Sequence, residues 1–400
     1  MKIIQLFFII ISPTNMFLEK LVNLRKQASL KISIVGGSNS VMREGYSKYL
    51  NNYLHQATSQ ETSIKYYSLG GVSNIFGLIQ QDRYNIARNS DIIFFEYCVN
   101  DRHAIEVDCY SLELAGKSLE GFIRKCQKAN PFCLIVLIIF GVNKEDYYQT
   151  TCALSELYQS IGEHYRLPVI NLTNLLNEQK GQGFVKSLYG DKDVAHYTRP
   201  FGVKIVAQTI VEQLDKIGVI RSLNSTKNFS ENLGIKPIYQ DNFENLAFFE
   251  HFEQGKFFDH HPRISVYQNT VYREKIFTLT QGNSLKFWLK GKLAALYIKS
   301  DLNDGLIEIN FAEQRLVTST YSEWVNNIKP QNVINLVTLP LSKFSESQDF
   351  APVLIACCQE YSDNCELDYI KIIPKKKDPQ KWKLNIIGIA YVGEIKPWQS

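Results

Sequence analysis

Two short stretches, residues 91–97 and 133–140, are almost unbroken runs of apolar side chains. A strand with water on one face alternates polar and apolar residues, so a run without alternation has to be covered on both faces. The arrangement that does this is a parallel sheet whose strands are joined by helices. The surrounding sequence agrees, because from about residue 30 to 220 short apolar runs alternate with longer segments of helical period. This reading predicts strands at 31–36, 63–69, 91–97, 133–140 and 168–170, and helices at about 43–57, 110–128, 146–165 and 200–216. The first half is therefore expected to be an α/β domain.

Beyond about residue 222 helical periodicity is lost and aromatic and β-branched residues become frequent. Short segments at 275–281, 284–290, 293–299, 305–311, 332–339, 352–358, 367–373 and 383–392 are separated by Gly, Asn, Asp or Pro, which predicts an antiparallel β-sandwich or jelly roll. A chain of 400 residues exceeds what one core usually serves. The expected division is an apolar and amphipathic segment at 1–29, an α/β domain at 30–221, a polar linker at 222–235 and a β domain at 236–400. Trp288, Trp324, Trp382 and Trp398 lie in the last of these. Most such aromatics are expected to fill the space between layers, and carbohydrate recognition by this domain is the further expectation, since sugar-binding sandwiches present aromatic faces to sugar rings.

Charge and composition exclude several classes. With 44 basic and 40 acidic residues the formal charge is only +4, and the one cationic block is Lys375-Lys376-Lys377, so nucleic acid is not an expected partner. The apolar run at 3–11 is too short to span a bilayer and no small-residue cleavage site follows it, so no integral membrane span is expected. Met16 is a second candidate start. The 8 cysteines contain no CxxC pair and several sit in apolar runs, which fits a reducing, cytoplasmic compartment, with export the alternative if residues 1–15 act as a signal segment. There is no GxGxxG and no Walker lysine, so no nucleotide cofactor is implied. Asp259 with His260 and His261 reads as a surface loop, since adjacent residues of an extended segment point to opposite faces.

The chemistry begins where the first strand runs into Gly36-Gly37-Ser38. This puts Ser38 at the carboxyl end of a strand and near a helix N-terminus, where α/β sheets bind ligands. Ser68-Leu69-Gly70-Gly71 follows the second strand, Asn100-Asp101 follows the third, and Asp193-Val194-Ala195-His196 precedes the last helix. These four patterns, in this order over about residues 30–218, resemble the SGNH or GDSL hydrolases. Two positions depart from that pattern, with Gly37 in place of the family's Asp and Cys98 in place of a Gly.

The resemblance implies a flavodoxin-like SGNH fold and an acyl-serine mechanism. It assigns Ser38 as nucleophile, His196 as proton shuttle and Asp193 as the carboxylate that orients it. The oxyanion would be held by the backbone N–H groups of Ser38 and Gly71 and by the Asn100 amide. Asp101 is expected to be a turn or cap residue and His103 to contact substrate. The implied reaction is removal of O-acyl groups, O-acetyl above all, from a carbohydrate, with no cofactor and no metal. One alternative is a polysaccharide O-acetyltransferase with an acetyl donor as second substrate; the other is a non-catalytic glycan-binding protein.

Overall fold

The computed structural model describes residues 29–106, 110–144, 152–220, 234–253, 255–300, 304–320, 336–341, 344–358 and 378–398. The segment predicted as a strand at 367–373, the lysine block at 375–377, Trp324 and the N-terminal segment up to residue 28 lie outside them.

Among the described residues of the first half, five parallel strands form one sheet: β1 (Ser29–Gly36), β2 (Glu61–Tyr66), β3 (Ile92–Glu96), β4 (Leu134–Ile139) and β5 (Val169–Asn171). Their order is β2-β1-β3-β4-β5, the flavodoxin-like order. Every residue of β3 and β4 is buried, as their unbroken apolar runs require. Alternate residues serve opposite layers. Ile93, Phe95, Ile135 and Leu137 join one cluster, while Ile92, Phe94, Leu134 and Val136 join the other.

The helices that cover the sheet are α1 (Ser38–Val41), α2 (Tyr46–Thr58), α3 (Ile75–Tyr84), α4 (Cys98–Glu106), α5 (Leu112–Ala129), α6 (Ala153–His164), α7 (Leu172–Lys180), α8 (Gln182–Ser187) and α9 (Phe201–Lys216). A hairpin of β6 (Tyr189–Gly190) and β7 (Asp193–Tyr197) precedes α9. Neither this hairpin nor α3 and α4 is foreseen by the periodicity of the sequence.

The second half contains β8 (Leu246–Phe249), β9 (Arg263–Gln268), β10 (Arg273–Thr280), β11 (Ser284–Lys299), β12 (Leu306–Phe311), β13 (Gln314–Ser319), β14 (Leu336–Pro340), β15 (Ser347–Cys357) and β16 (Lys383–Pro397). These nine form a connected antiparallel sheet, ordered β13-β12-β15-β11-β16-β10-β9, with β14 on β11 and β8 on β16. The two strands expected at 284–290 and 293–299 are one. Its register shifts at Gly291, whose φ of +126° and close approach to Val392 O exclude a side chain. Strands from across the sheet supply a single cluster that includes Phe277, Phe287, Ile309, Val353, Leu384 and the fully buried Trp382. The Cys357 thiol lies 3.9 Å from the Leu279 carbonyl, although β15 and β10 are not neighbours. The sheet thus folds back over its own core, the sandwich expected from the sequence.

The halves share a core. Phe76 on α3 meets Tyr272 and Tyr297 of the second half edge-on, with ring centroids 5.8 and 5.4 Å away. A segment expected to open the β domain instead straps α5: the Glu120 carboxylate accepts the N–H of Ile238 at 2.6 Å and of Tyr239 at 2.8 Å. Gly121 has to be glycine there, because a Cβ would sit 2.7 Å from the Phe243 backbone.

Arg83, at the end of α3, completes the junction. Its guanidinium donates to both oxygens of Glu274 at 2.9 and 2.8 Å and to Glu250 at 2.5 Å. The rings of Tyr84, Phe248 and Tyr297 surround it at 5.1 to 5.8 Å. Glu274 is only 1 % exposed, so removing its partner strands a buried charge, a loss of about 3–5 kcal/mol. Arg83→Ala is expected to lower unfolding free energy by that amount and to split one calorimetric transition into two; a single unchanged transition would refute the junction's role.

Candidate active site

β1 ends at Gly36 and the chain turns at once into α1, with Gly37 as its N-cap residue, so Ser38 opens a one-turn helix. In the sheet order β1 lies between β2 and β3, so the crossovers depart in opposite directions from this point and leave a crevice at the carboxyl ends of β1 and β3. Ser38 follows the end of β1 there, and Asn100, the third residue of α4, follows the end of β3.

The expected relay pair, Asp193 and His196, lies on β7 of the hairpin that precedes α9. Ser38 Oγ lies 2.8 Å from His196 Nε2, and His196 Nδ1 lies 2.9 and 3.0 Å from the two oxygens of Asp193. Asp193 Oδ1 also accepts the N–H groups of Ala195 at 3.1 Å and His196 at 3.0 Å. Partial burial works against the carboxylate charge, but these N–H donors and the imidazole outweigh it and hold the Asp193 pKa below the ordinary value. An ionised Asp193 fixes the proton of His196 on Nδ1, which leaves Nε2 to accept from Ser38. β7 is itself fastened at two consecutive carbonyls, with Asn39 Nδ2 donating to Ala195 O at 2.9 Å and the Asn143 N–H donating to Val194 O at 2.7 Å.

The expected oxyanion groups are tied to one another. Asn100 Nδ2 donates to the Val72 carbonyl at 2.9 Å, which joins α4 to the loop that carries Gly71. An amide nitrogen has a second N–H to give. Gly71 is exposed, and its φ of +76° is one that glycine adopts without strain. The Asn100 amide rests directly on Gly37: a Cβ added there would lie 2.3 Å from Asn100 Oδ1. In this chain the space next to residue 37 is taken by Asn100, which leaves no room for a side chain there without moving the amide. Cys98, the other departure, is buried against Ser155 at 3.9 Å, and burial raises its thiol pKa well above the ordinary value, so it packs as an inert group.

Asp101 is a buried tie. Its carboxyl accepts the N–H of Asn74, the N-cap residue of α3, at 2.8 Å and the Tyr158 hydroxyl at 2.6 Å, while burial pushes its pKa up to about 7 against those bonds. His103 is exposed on α4, three residues beyond Asn100. Asp259 of the second half is engaged by Ser284 and Lys286, and among the described residues no cluster of His, Cys, Asp and Glu is arranged to hold a metal.

Sequence reasoning missed Asn39 and Glu96. Glu96, the last residue of β3, is fully buried beneath α1; Ser40 Oγ donates to its Oε2 at 2.9 Å and stands 3.0 Å from the Tyr46 hydroxyl. The signal available was a lone acid inside an apolar strand. Burial, reinforced by the nearby Asp101 charge, pushes the Glu96 pKa up to about 8 despite the bonds from Ser40 and Gly37.

An acid whose pKa rises on folding holds its proton more tightly in the native state. That contribution is complete below the unfolded value of 4.5 and is lost as pH climbs to about 8. Denaturant unfolding is therefore expected to show stability falling from about pH 5 to about pH 8, and a fall reduced by roughly half in Glu96→Gln, because the raised Asp101 supplies the rest. Equal slopes in the two proteins would contradict this account of the carboxyl.

No family model matches the chain, and no curated protein matches it in sequence. Solved structures do. A two-domain esterase (CEX) active on acetylated mannans is 14 % identical, with a TM-score of 0.63 over 95 % of this chain and 96 % of that one. The same esterase co-crystallised with mannopentaose matches at 14 % identity and a TM-score of 0.63, over 94 % of this chain and 96 % of that one. An acetyl xylan esterase, AlAXEase, is 16 % identical and covers 47 % of this chain and 100 % of that one at a TM-score of 0.37. At the first esterase's level of identity the likeness is one of fold, and it extends over both halves: an SGNH-like parallel sheet followed by an antiparallel β domain.

Proposed function

We propose that this chain is a serine esterase that removes O-acetyl groups from a polysaccharide. The observation that carries the reading is the continuous hydrogen-bonded line from Ser38 Oγ through His196 to Asp193. His196 Nε2 takes the Ser38 proton as Oγ attacks the acyl carbonyl, and the negative charge forms on the carbonyl oxygen. The N–H groups of Ser38, Gly71 and the Asn100 amide receive that charge. Collapse expels the sugar alkoxide, which takes the proton from His196. Water, deprotonated by the same imidazole, then attacks the acyl-serine and releases acetate and free Ser38. His103 contacts the glycan beside the cleft.

Support for the carbohydrate comes from the esterase active on acetylated mannans, whose two-domain fold this chain shares throughout. Transfer of the acyl group to a sugar hydroxyl uses the same residues and differs only in which hydroxyl enters the cleft.

The test is acetate release from acetylated mannan and acetylated xylan, with an unacetylated oligosaccharide added as acceptor in a parallel reaction. Ser38→Ala and His196→Ala are each expected to reduce kcat/KM by about 10⁴-fold or more. Full activity in either variant removes the mechanism, and acetate appearing on the acceptor instead of in solution replaces hydrolysis by transfer.

Gly37→Ala provides a finer check. The new methyl group displaces the Asn100 amide while leaving backbone angles that alanine adopts freely, so kcat is expected to fall about 10²-fold, as when an oxyanion donor is lost. Loss of the Asn100–Val72 bond should also lower the unfolding free energy by about 1 kcal/mol. A fully active Gly37→Ala protein would mean that Asn100 does not hold the oxyanion.

A further inference from the structure

The outer face of the β domain carries a groove that the esterase reading does not use. It has a volume of about 550 Å³, lies across β9, β10 and β16, and is closed at one end by the last residue of β11. Its cations are Arg263, Lys299 and Lys383, with His261 beside them, and none of its lining residues is Asp or Glu. Among the described residues no carboxylate forms an ion pair with Arg263 or Lys383.

The register explains why these groups converge. Arg263 pairs with Thr278, and Thr278 pairs with Asn385, so one row crosses three strands; the Thr278 hydroxyl donates to Asn385 Oδ1 at 2.8 Å. Thr280 pairs with Lys383 in the next row on the same face. Toward the other end Lys299 lies over the Tyr267 ring at 5.7 Å. From Tyr267 to Arg263 is four residues of strand, about 13 Å. The groove is thus an elongated floor of hydroxyl and amide groups with positive charge at both ends.

We propose that this groove binds a carboxylate-bearing polysaccharide. Arginine forks onto a carboxylate and lysine offers it a point charge, while Thr, Ser and Asn match sugar hydroxyls. The anionic half of the assignment rests on the lining alone; the polysaccharide half rests on the esterase reading. A groove for single-stranded nucleic acid would present several stacking rings in succession, and this one presents Tyr267 alone among its lining residues.

The test uses the full chain carrying Ser38→Ala, so that binding is measured without turnover, in affinity electrophoresis through gels containing polygalacturonate, neutral mannan or single-stranded DNA. Polygalacturonate is expected to retard the protein, and Arg263→Gln with Lys383→Gln to weaken retention about tenfold or more, with far-UV circular dichroism unchanged. Added salt should weaken it further. Unretarded migration in polygalacturonate, or retention indifferent to the two substitutions, overturns the proposal. Equal retention by DNA overturns the polysaccharide assignment. These outcomes are independent of acetate release: a protein that binds polygalacturonate but cleaves no acetyl ester loses the esterase reading and keeps the groove.

Discussion

One guanidinium decides how the two halves of this protein meet. Arg83 is nearly dry, faces two carboxylates and is enclosed by three aromatic rings. An isolated charge in that position would be prohibitively unfavourable, so the helix that carries it is tolerated only with Glu274 and Glu250 in place. That requirement fixes where β8 and β10 approach α3, and with them Tyr272 and Tyr297 against Phe76. The same contact reaches the site, because the Tyr272 hydroxyl donates to the Ser68 carbonyl at 3.1 Å, just upstream of the loop that carries Gly71. The β domain is in this sense part of the wall behind the proposed oxyanion hole.

The candidate active site is assembled from three strand ends and a hairpin, yet few of its groups are held by chance contacts. Asn39 fastens α1 to β7, Asn100 fastens its own helix to the Gly71 loop, and Asp101 fastens that loop's helix to Tyr158. Each tie uses a side chain next in sequence to, or the same as, one with a proposed chemical role. Position and function are therefore specified by adjacent residues, and the geometry of the cleft follows from a few hydrogen bonds in a dry environment where their loss is costly.

Much of this was legible in the sequence because it lay in local patterns. β3 and β4 announced themselves by lacking alternation, and Ser38 and Asn100 stand near a strand end and at a helix start as read, whereas Asp193 and His196 lie within β7. What was not legible depended on partners far away in the chain. α3 is buried on every side, from Ile75 through Gln81, so it shows no apolar stripe to read; the second half covers the face that would otherwise be polar. β9 is the reverse case: its Arg263-Ile264-Ser265-Val266 alternates, but it is exposed on both faces and buries no apolar row. Gly291 read as a break between strands when it is a bulge within one. Glu96 read as the end of a strand, because the Ser40 that receives it comes from another segment.

The apolar seam between the halves also sets an order of events on the ribosome. The parallel sheet is synthesised first, but Phe76 and Arg83 remain uncovered until Tyr272, Glu274 and Tyr297 have emerged. During that interval the nascent α/β half presents a greasy patch with an unneutralised cation at its edge, the kind of surface that invites misassembly. A chain built in this way settles its first half only once the second has emerged, so the β domain acts for its neighbour as an intramolecular chaperone would: the part made later lets the earlier part settle.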